Sequence, residues 1–132
     1  MSKDSDAYRK GNELRRHMFG HAGAEGAHEA ASDVGKPLQE YVTEFAFGDI
    51  WQREGLTNRE RSMLVVAMLM GAGRMKQVQV HIQGALANGV TKEELREVFL
   101  LAMCYIGIPP AAEATFMLER MLRACPDEVE TP

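Results

Sequence analysis

Residues 74–90 read RMKQVQVHIQGALANGV, and this stretch decides how the chain folds. Met75, Val78, Ile82, Ala85 and Leu86 recur at steps of three and four, so the spacing predicts one amphipathic helix. Asn88-Gly89 supplies its stop signal. His81 lies between Val78 and Ile82 on the apolar face. From pattern alone, such a histidine is either a core residue with a satisfied ring or a site residue, and the core reading is the commoner one.

The segments on either side predict more helices. Upstream, Met63 to Met70 is apolar all round, and Gly71-Ala72-Gly73 separates it from the 74–90 helix. A connection this short predicts a tight antiparallel helical hairpin. A helix with no polar face is buried on all sides, which a small monomer achieves poorly, so part of this surface is expected at a subunit interface. Thr57 with Glu60, and Thr91 with Glu94, have capping-box spacing and open the helices that follow them. These two signals lie 34 residues apart. That is a tetratricopeptide period, but two copies whose similarity fades after the cap are more simply two well-capped helices. From Lys92 to about Tyr105, the residues Leu95, Val98, Phe99, Ala102, Tyr105 and Ile106 form the cleanest stripe. Gly107 and Pro109-Pro110 are expected to end that helix, and a last one runs from about Ala111 to Ala124.

Towards the N-terminus, Met1 to Asp6 is expected to fray. A first helix is predicted over Ala7–Phe19, with Tyr8, Leu14, Met18 and Phe19 as its apolar members and Gly20 as its stop. Arg15, Arg16 and His17 crowd its last turn, where positive charge favours the helix C-terminus. The glycine- and alanine-rich segment 20–35 is expected to be a mobile loop or lid. His21 and His28 lie seven apart within it, without a convincing third metal ligand. A second helix is predicted over Lys36–Trp51, with Pro37 in its first turn. Leu38, Tyr41, Val42, Phe45 and Ile50 mark its inner face, and Glu44 borders that face. No strand pattern survives. The prediction is one all-α domain over residues 1–132 with about six helices, closed by an acidic tail from 126 to 132.

Composition bounds the function. The chain has 132 residues, 45% hydrophobic and 26% charged, with a net charge of −4. That is ordinary for a globular domain and argues against nucleic acid, whose phosphates require a basic patch. No apolar run approaches the ~18 residues of a membrane span. The N-terminus lacks the apolar core of a secretion signal. Cys104 and Cys125 have neither metal nor redox spacing; Cys104 is expected to be a buried thiol, in keeping with a reducing, cytoplasmic location.

Five segments together resemble the carboxymuconolactone decarboxylase family: GNELRR at 11–16, PLQEYVTEFAFGDIW at 37–51, GLTNRERSML at 55–64, VHIQGALANGVTKEELREVFL at 80–100 and YIGIPPAAEA at 105–114. The resemblance implies an alkylhydroperoxidase-D-like fold assembled as a ring-like homo-oligomer, a trimer or hexamer. It implies cofactor-free decarboxylation of 4-carboxymuconolactone, or a related lactone acid, to 3-oxoadipate enol-lactone in aromatic catabolism, with no metal. Peroxidases of the wider family carry Cys-x-x-Cys before the family histidine. Here Arg74 and Gln77 stand in those places, and thiol peroxidase chemistry needs a thiol. The family histidine falls on His81, which the resemblance makes the expected general acid or oxyanion donor. Arg15 matches a family position suited to clamping a carboxylate, Glu44 one that orients His81 or relays a proton, and Tyr105 one that donates to the oxyanion. One departure is Gln83, where the decarboxylase branch often has arginine. With the unusual segment 20–35, it favours as an alternative a different lactone or small cyclic acid; a third reading, a non-catalytic oligomeric binding protein, requires His81 to be structural.

Overall fold

A computed structural model describes residues 5–124. Among them are seven α-helices and no strand. The expectations for Cys125 and the acidic tail lie outside the described residues. Internal contacts divide the chain into two compact units, 1–57 and 58–132.

In the first unit, α1 (Asp6–Phe19) starts at Ser5, whose hydroxyl accepts the Tyr8 amide at 3.1 Å. It ends at Gly20, which takes φ +76°. Its buried face is Tyr8, Gly11, Leu14, Arg15 and Met18. The hydropathy stripe is weak because glycine and arginine occupy two of its positions. The segment after Gly20 is a 3-10 turn (His21–Gly23) followed by α2 (Glu25–Ala30), not the expected irregular loop. Side-chain anchors compensate for its lack of bulk: Arg16 pairs with Glu25, Asn12 donates to the same carboxylate at 3.3 Å, and Ala24 is fully buried.

The helix expected over Lys36–Trp51 is instead three pieces. They are α3 (Lys36–Tyr41), a π-helical turn (Val42–Phe47) and a 3-10 turn (Ile50–Gln52). Its predicted inner face is outermost: Leu38, Tyr41, Phe45 and Ile50 are 44–62% exposed, while Thr43, Phe47 and Trp51 are buried. Two causes combine. The π turn widens the helix and shifts its phase. The face that meets α1 is also selected for closeness rather than for apolar bulk. A Cβ on Gly11 would lie 1.8 Å from the Thr43 carbonyl oxygen, and one on Gly48 would lie 2.0 Å from that of Ala7. Only glycine permits this crossing. Beside it, Phe47 stacks on Trp51 at 5.4 Å and meets Phe19 edge-on at 5.8 Å.

In the second unit, α4 (Asn58–Gly71) and α5 (Met75–Ala87) are joined through Gly73 at φ +73°, forming the expected hairpin. Gly89 at φ +89° ends α5, and the Val90 amide bonds back to the Ala85 carbonyl at 3.0 Å. Asn88 donates to the buried Ser62 hydroxyl at 3.0 Å and ties the hairpin's open end. α6 (Lys92–Ile106) begins with a complete capping box: Glu94 amide to Thr91 hydroxyl at 3.1 Å, and Thr91 amide to Glu94 carboxylate at 2.9 Å. α7 spans Ile108–Ala124. Pro109-Pro110 opens α7 instead of delaying it until Ala111, because a first turn has no use for the missing N–H groups.

The core of this unit gathers Val66, Met70, Val78, Ile82, Leu95, Phe99, Ala114 and Leu118. The apolar run of α4 is only half enclosed within the chain: Val66 and Met70 are buried, while Leu64 and Met68 are 49% and 63% exposed. Cys104 is exposed, contrary to expectation, because it lies off the Leu95–Phe99 stripe of α6.

The glycine crossing yields a direct test. Gly48→Ala should destabilise the protein by about 3 kcal/mol, since its Cβ meets backbone rather than a movable side chain. A urea midpoint unchanged from wild type would contradict the crossing.

Candidate active site

The first unit holds a buried polar network around Arg15, which is 7% exposed. Its position on α1, four residues after Gly11, aims it at the π turn. One terminal nitrogen donates to the Thr43 hydroxyl at 2.8 Å and the other to the Gln39 side-chain oxygen at 2.9 Å. The Nε atom is buried without a hydrogen-bond partner. Thr43 is fully buried and also donates to the Gln39 carbonyl at 2.8 Å. His28 of α2 lies 2.9 Å from the Thr43 hydroxyl through Nε2, and the Tyr8 hydroxyl is 3.1 Å from Nε2 and 3.3 Å from Nδ1 of the same ring. Burial, with Glu40 nearby, raises the Tyr8 pKa, so the phenol remains a neutral donor.

Arg15 thus has neutral partners and, among the described residues, no carboxylate. On α2, Glu25 is already committed: it bonds Arg16, which holds its carboxyl down at about 2. Burial lowers the Arg15 pKa from its usual value, but a guanidinium stays protonated. Removing a cation from water costs several kcal/mol unless an anion offsets it. A guanidinium offers five N–H groups. The two bonds above use two, which leaves three for a ligand.

Glu44 is the other site candidate of this unit. It does not bond Arg15; its carboxylate accepts the Ser5 hydroxyl at 3.0 Å. It lines a cavity of about 520 Å³ with Ala7, Tyr41, Phe45, Gly48 and Asp49. His21 faces Glu25 and Glu29 on the surface, apart from His28. Among the described residues no group of three His, Cys, Asp or Glu side chains is placed to hold a metal ion.

The second unit carries His81 and Tyr105. His81 is half-buried on α5 between the fully buried Val78 and Ile82. Burial pushes its imidazole pKa down, so the ring is neutral at neutral pH. Gln83 is exposed and lies roughly 200° around the helix from His81. Tyr105, in the last turn of α6, is 82% exposed, a wetter setting than that of His81. It lines a groove of about 340 Å³ whose other walls, including Met63, Leu64, Val98 and Leu101, are apolar.

Sequence reasoning missed Tyr8, Gln39 and Thr43, and it considered His28 only as a metal ligand. The available signal was the placement of Gly11 and Arg15 on one face of α1, which marks a helix side that is both close-packed and charged.

The carboxymuconolactone decarboxylase family model matches residues 36–120. A 4-carboxymuconolactone decarboxylase of Acinetobacter baylyi is 32% identical over 120 residues, covering 91% of this chain and 90% of that protein. A nitrosuccinic acid decarboxylase of Metarhizium robertsii is 34% identical over 121 residues, covering 92% and 85%. The chain belongs to the carboxymuconolactone decarboxylase family. Both relatives are named decarboxylases, and the chain is a carboxy-lyase of this family.

The depressed His81 pKa has a consequence for stability. An unfolded histidine takes up its proton near pH 6.5, above the folded value. The unfolded state therefore binds more protons on acidification. The contribution is complete above about pH 6.5 and is lost as pH falls through the folded pKa. His81→Gln should flatten the fall of the urea midpoint below pH 6.5; a pH dependence equal to wild type would remove His81 as its source.

Proposed function

We propose that the protein decarboxylates 4-carboxymuconolactone, or a related lactone acid, to 3-oxoadipate enol-lactone without a cofactor. The observation that carries this reading is Arg15, a buried cation with three unused N–H groups and no carboxylate partner among the described residues. The similarity to the Acinetobacter baylyi enzyme over 91% of the chain supports it.

The substrate is its own electron sink. Loss of CO2 from the ring carbon sends the electron pair through the adjacent C=C bond onto the lactone carbonyl as an extended enolate. A proton then adds next to that carbonyl. Nitrosuccinic acid, the compound named for the second relative, has the same core: a carbon bearing both a carboxylate and an electron acceptor, followed by CH2–COO⁻. The substrate class is thus a succinate whose second carbon carries a conjugated acceptor, and an acyclic member of that class is the second reading.

Arg15 holds the carboxylate that is retained. A cation on the departing one would stabilise the ground state and lose its partner in the transition state. A guanidinium fork suits this role. His81, neutral through burial, donates a hydrogen bond to the developing oxyanion, as a preorganised dipole should. The same ring passes on the proton that carbon receives. Glu44 relays a proton, and Tyr105 donates to the oxyanion when its exposed face is covered. The exposed apolar residues Leu64, Met68, Leu101 and Phe116 support a homo-oligomeric ring, a trimer or hexamer, that covers them. No helix among the described residues is long and apolar enough to cross a membrane, and a cytoplasmic location is part of the proposal.

Purified protein should deplete 4-carboxymuconolactone in an ultraviolet assay. Arg15→Met should raise KM roughly 10- to 100-fold, the worth of a charge-assisted hydrogen bond. His81→Ala should lose most turnover while eluting unchanged from a sizing column. Wild-type kinetics in either variant would remove that residue from the site; no turnover of either named compound by wild type would overturn the reading.

A further inference from the structure

The contacts around Thr43 fix a hydrogen order. Arg15 donates to the Thr43 oxygen at 2.8 Å, and that hydroxyl lies 2.8 Å from the Gln39 carbonyl, which can only accept. A hydroxyl has one proton and two lone pairs. The third contact, to His28 Nε2 at 2.9 Å, is satisfied together with the other two only if His28 donates. The ring then carries a proton on Nε2, and the Tyr8 hydroxyl lies against the same ring, 3.1 Å from Nε2 and 3.3 Å from Nδ1. The chain of donation runs His28 to Thr43 to the Gln39 backbone, with Arg15 held from the side and Tyr8 against the His28 ring. Four pieces of backbone, α1, α2, α3 and the π turn, converge on one threonine oxygen.

We propose that Thr43 and His28 are positioning residues that set the angle of the Arg15 fork for the substrate's retained carboxylate. The inference rests on the assignment of Arg15 as the carboxylate clamp. Its physical basis is that, among the described residues, Arg15 has no acidic partner to orient it and hydrogen-bonds only to neutral acceptors. Thr43 accepts from one terminal nitrogen and Gln39 from the other, which leaves the remaining N–H groups in a fixed direction. His28 locks the threonine by occupying its second lone pair, so the hydroxyl cannot rotate away from Arg15. Segment 20–30, with little bulk of its own, thereby serves to deliver His28.

The test is steady-state kinetics on whichever of the two named acids the wild type turns over, with Thr43→Val, Thr43→Ser, His28→Phe, Arg15→Met and the Arg15→Met/Thr43→Val double variant. Thr43→Val and His28→Phe should each raise KM about tenfold with a smaller change in kcat, the scale of one bond to a charged group. Thr43→Ser, which restores the hydroxyl, should stay near wild type. The double variant should be no worse than Arg15→Met alone, since positioning has nothing left to position. On the analogue whose retained carboxylate is a methyl ester, KM should be the same for wild type, Thr43→Val and His28→Phe; a merely structural defect would raise it on both compounds. Should Thr43→Val fail to fold by thermal melting, His28→Phe carries the same prediction from a different helix. Wild-type KM in Thr43→Val and His28→Phe, alongside a raised KM in Arg15→Met, would overturn the positioning inference alone. So would additive effects in the double variant. Wild-type KM in Arg15→Met would overturn the clamp assignment and this inference with it.

Discussion

The constraint on which the first unit depends is the backbone approach between α1 and the π turn. Gly11 and Gly48 let two carbonyl-bearing segments come closer than any side chain would allow. That distance decides what else can sit on α1. One turn beyond Gly11, the arginine side chain cannot lie along a surface and is driven into the space beside Thr43. A wider crossing with alanines would leave Arg15 free to reach solvent, as arginines on helix surfaces usually do. Close packing and the buried charge are one feature.

The hairpin of the second unit was legible because its physics is local. Val78, Ile82 and Ala85 recur at helical spacing, Gly73 and Gly89 take the left-handed turns that glycine permits, and Thr91 with Glu94 closes both bonds of a capping box. Each rests on residues within a turn of one another, which a linear sequence displays. The first unit obeys longer-range rules. Leu38, Tyr41, Phe45 and Ile50 read as a core face by hydropathy, yet what α1 demands of its neighbour is a threonine and a glycine. The π turn that turns those apolar groups outward has no hydropathy signature. Segment 20–35 failed for the same reason: its order comes from His28 and Glu25 bonding to α1, contacts that no periodicity encodes.

The candidate residues divide along the same line. His81 was visible as a polar residue in an apolar stripe, and its environment follows from that stripe, since burial by its neighbours lowers its pKa. Arg15 looked like charge against a helix end. That account holds for Arg16, which is exposed and paired with Glu25, but not for Arg15 one residue earlier. A step of one residue turns a side chain by roughly 100° around the helix. Here it separates a solvated ion pair from a buried cation that has no carboxylate partner among the described residues.

Under the proposed function, each of these two environments suits a different demand of decarboxylation. Decarboxylation into an internal acceptor begins with an anionic substrate and spreads its charge as CO2 departs. A fixed cation binds strongly wherever charge is localised throughout, which is the retained carboxylate and not the reacting centre. The reacting centre needs a donor that interacts weakly with the starting carbonyl and strongly with the enolate oxygen. A neutral imidazole meets that requirement better than an imidazolium, whose charge would also hold the departing carboxylate in place. Burial acts on the two groups differently: it keeps His81 neutral by penalising its charge, and it cannot neutralise Arg15, whose charge persists and in the proposed reaction is offset by the retained carboxylate.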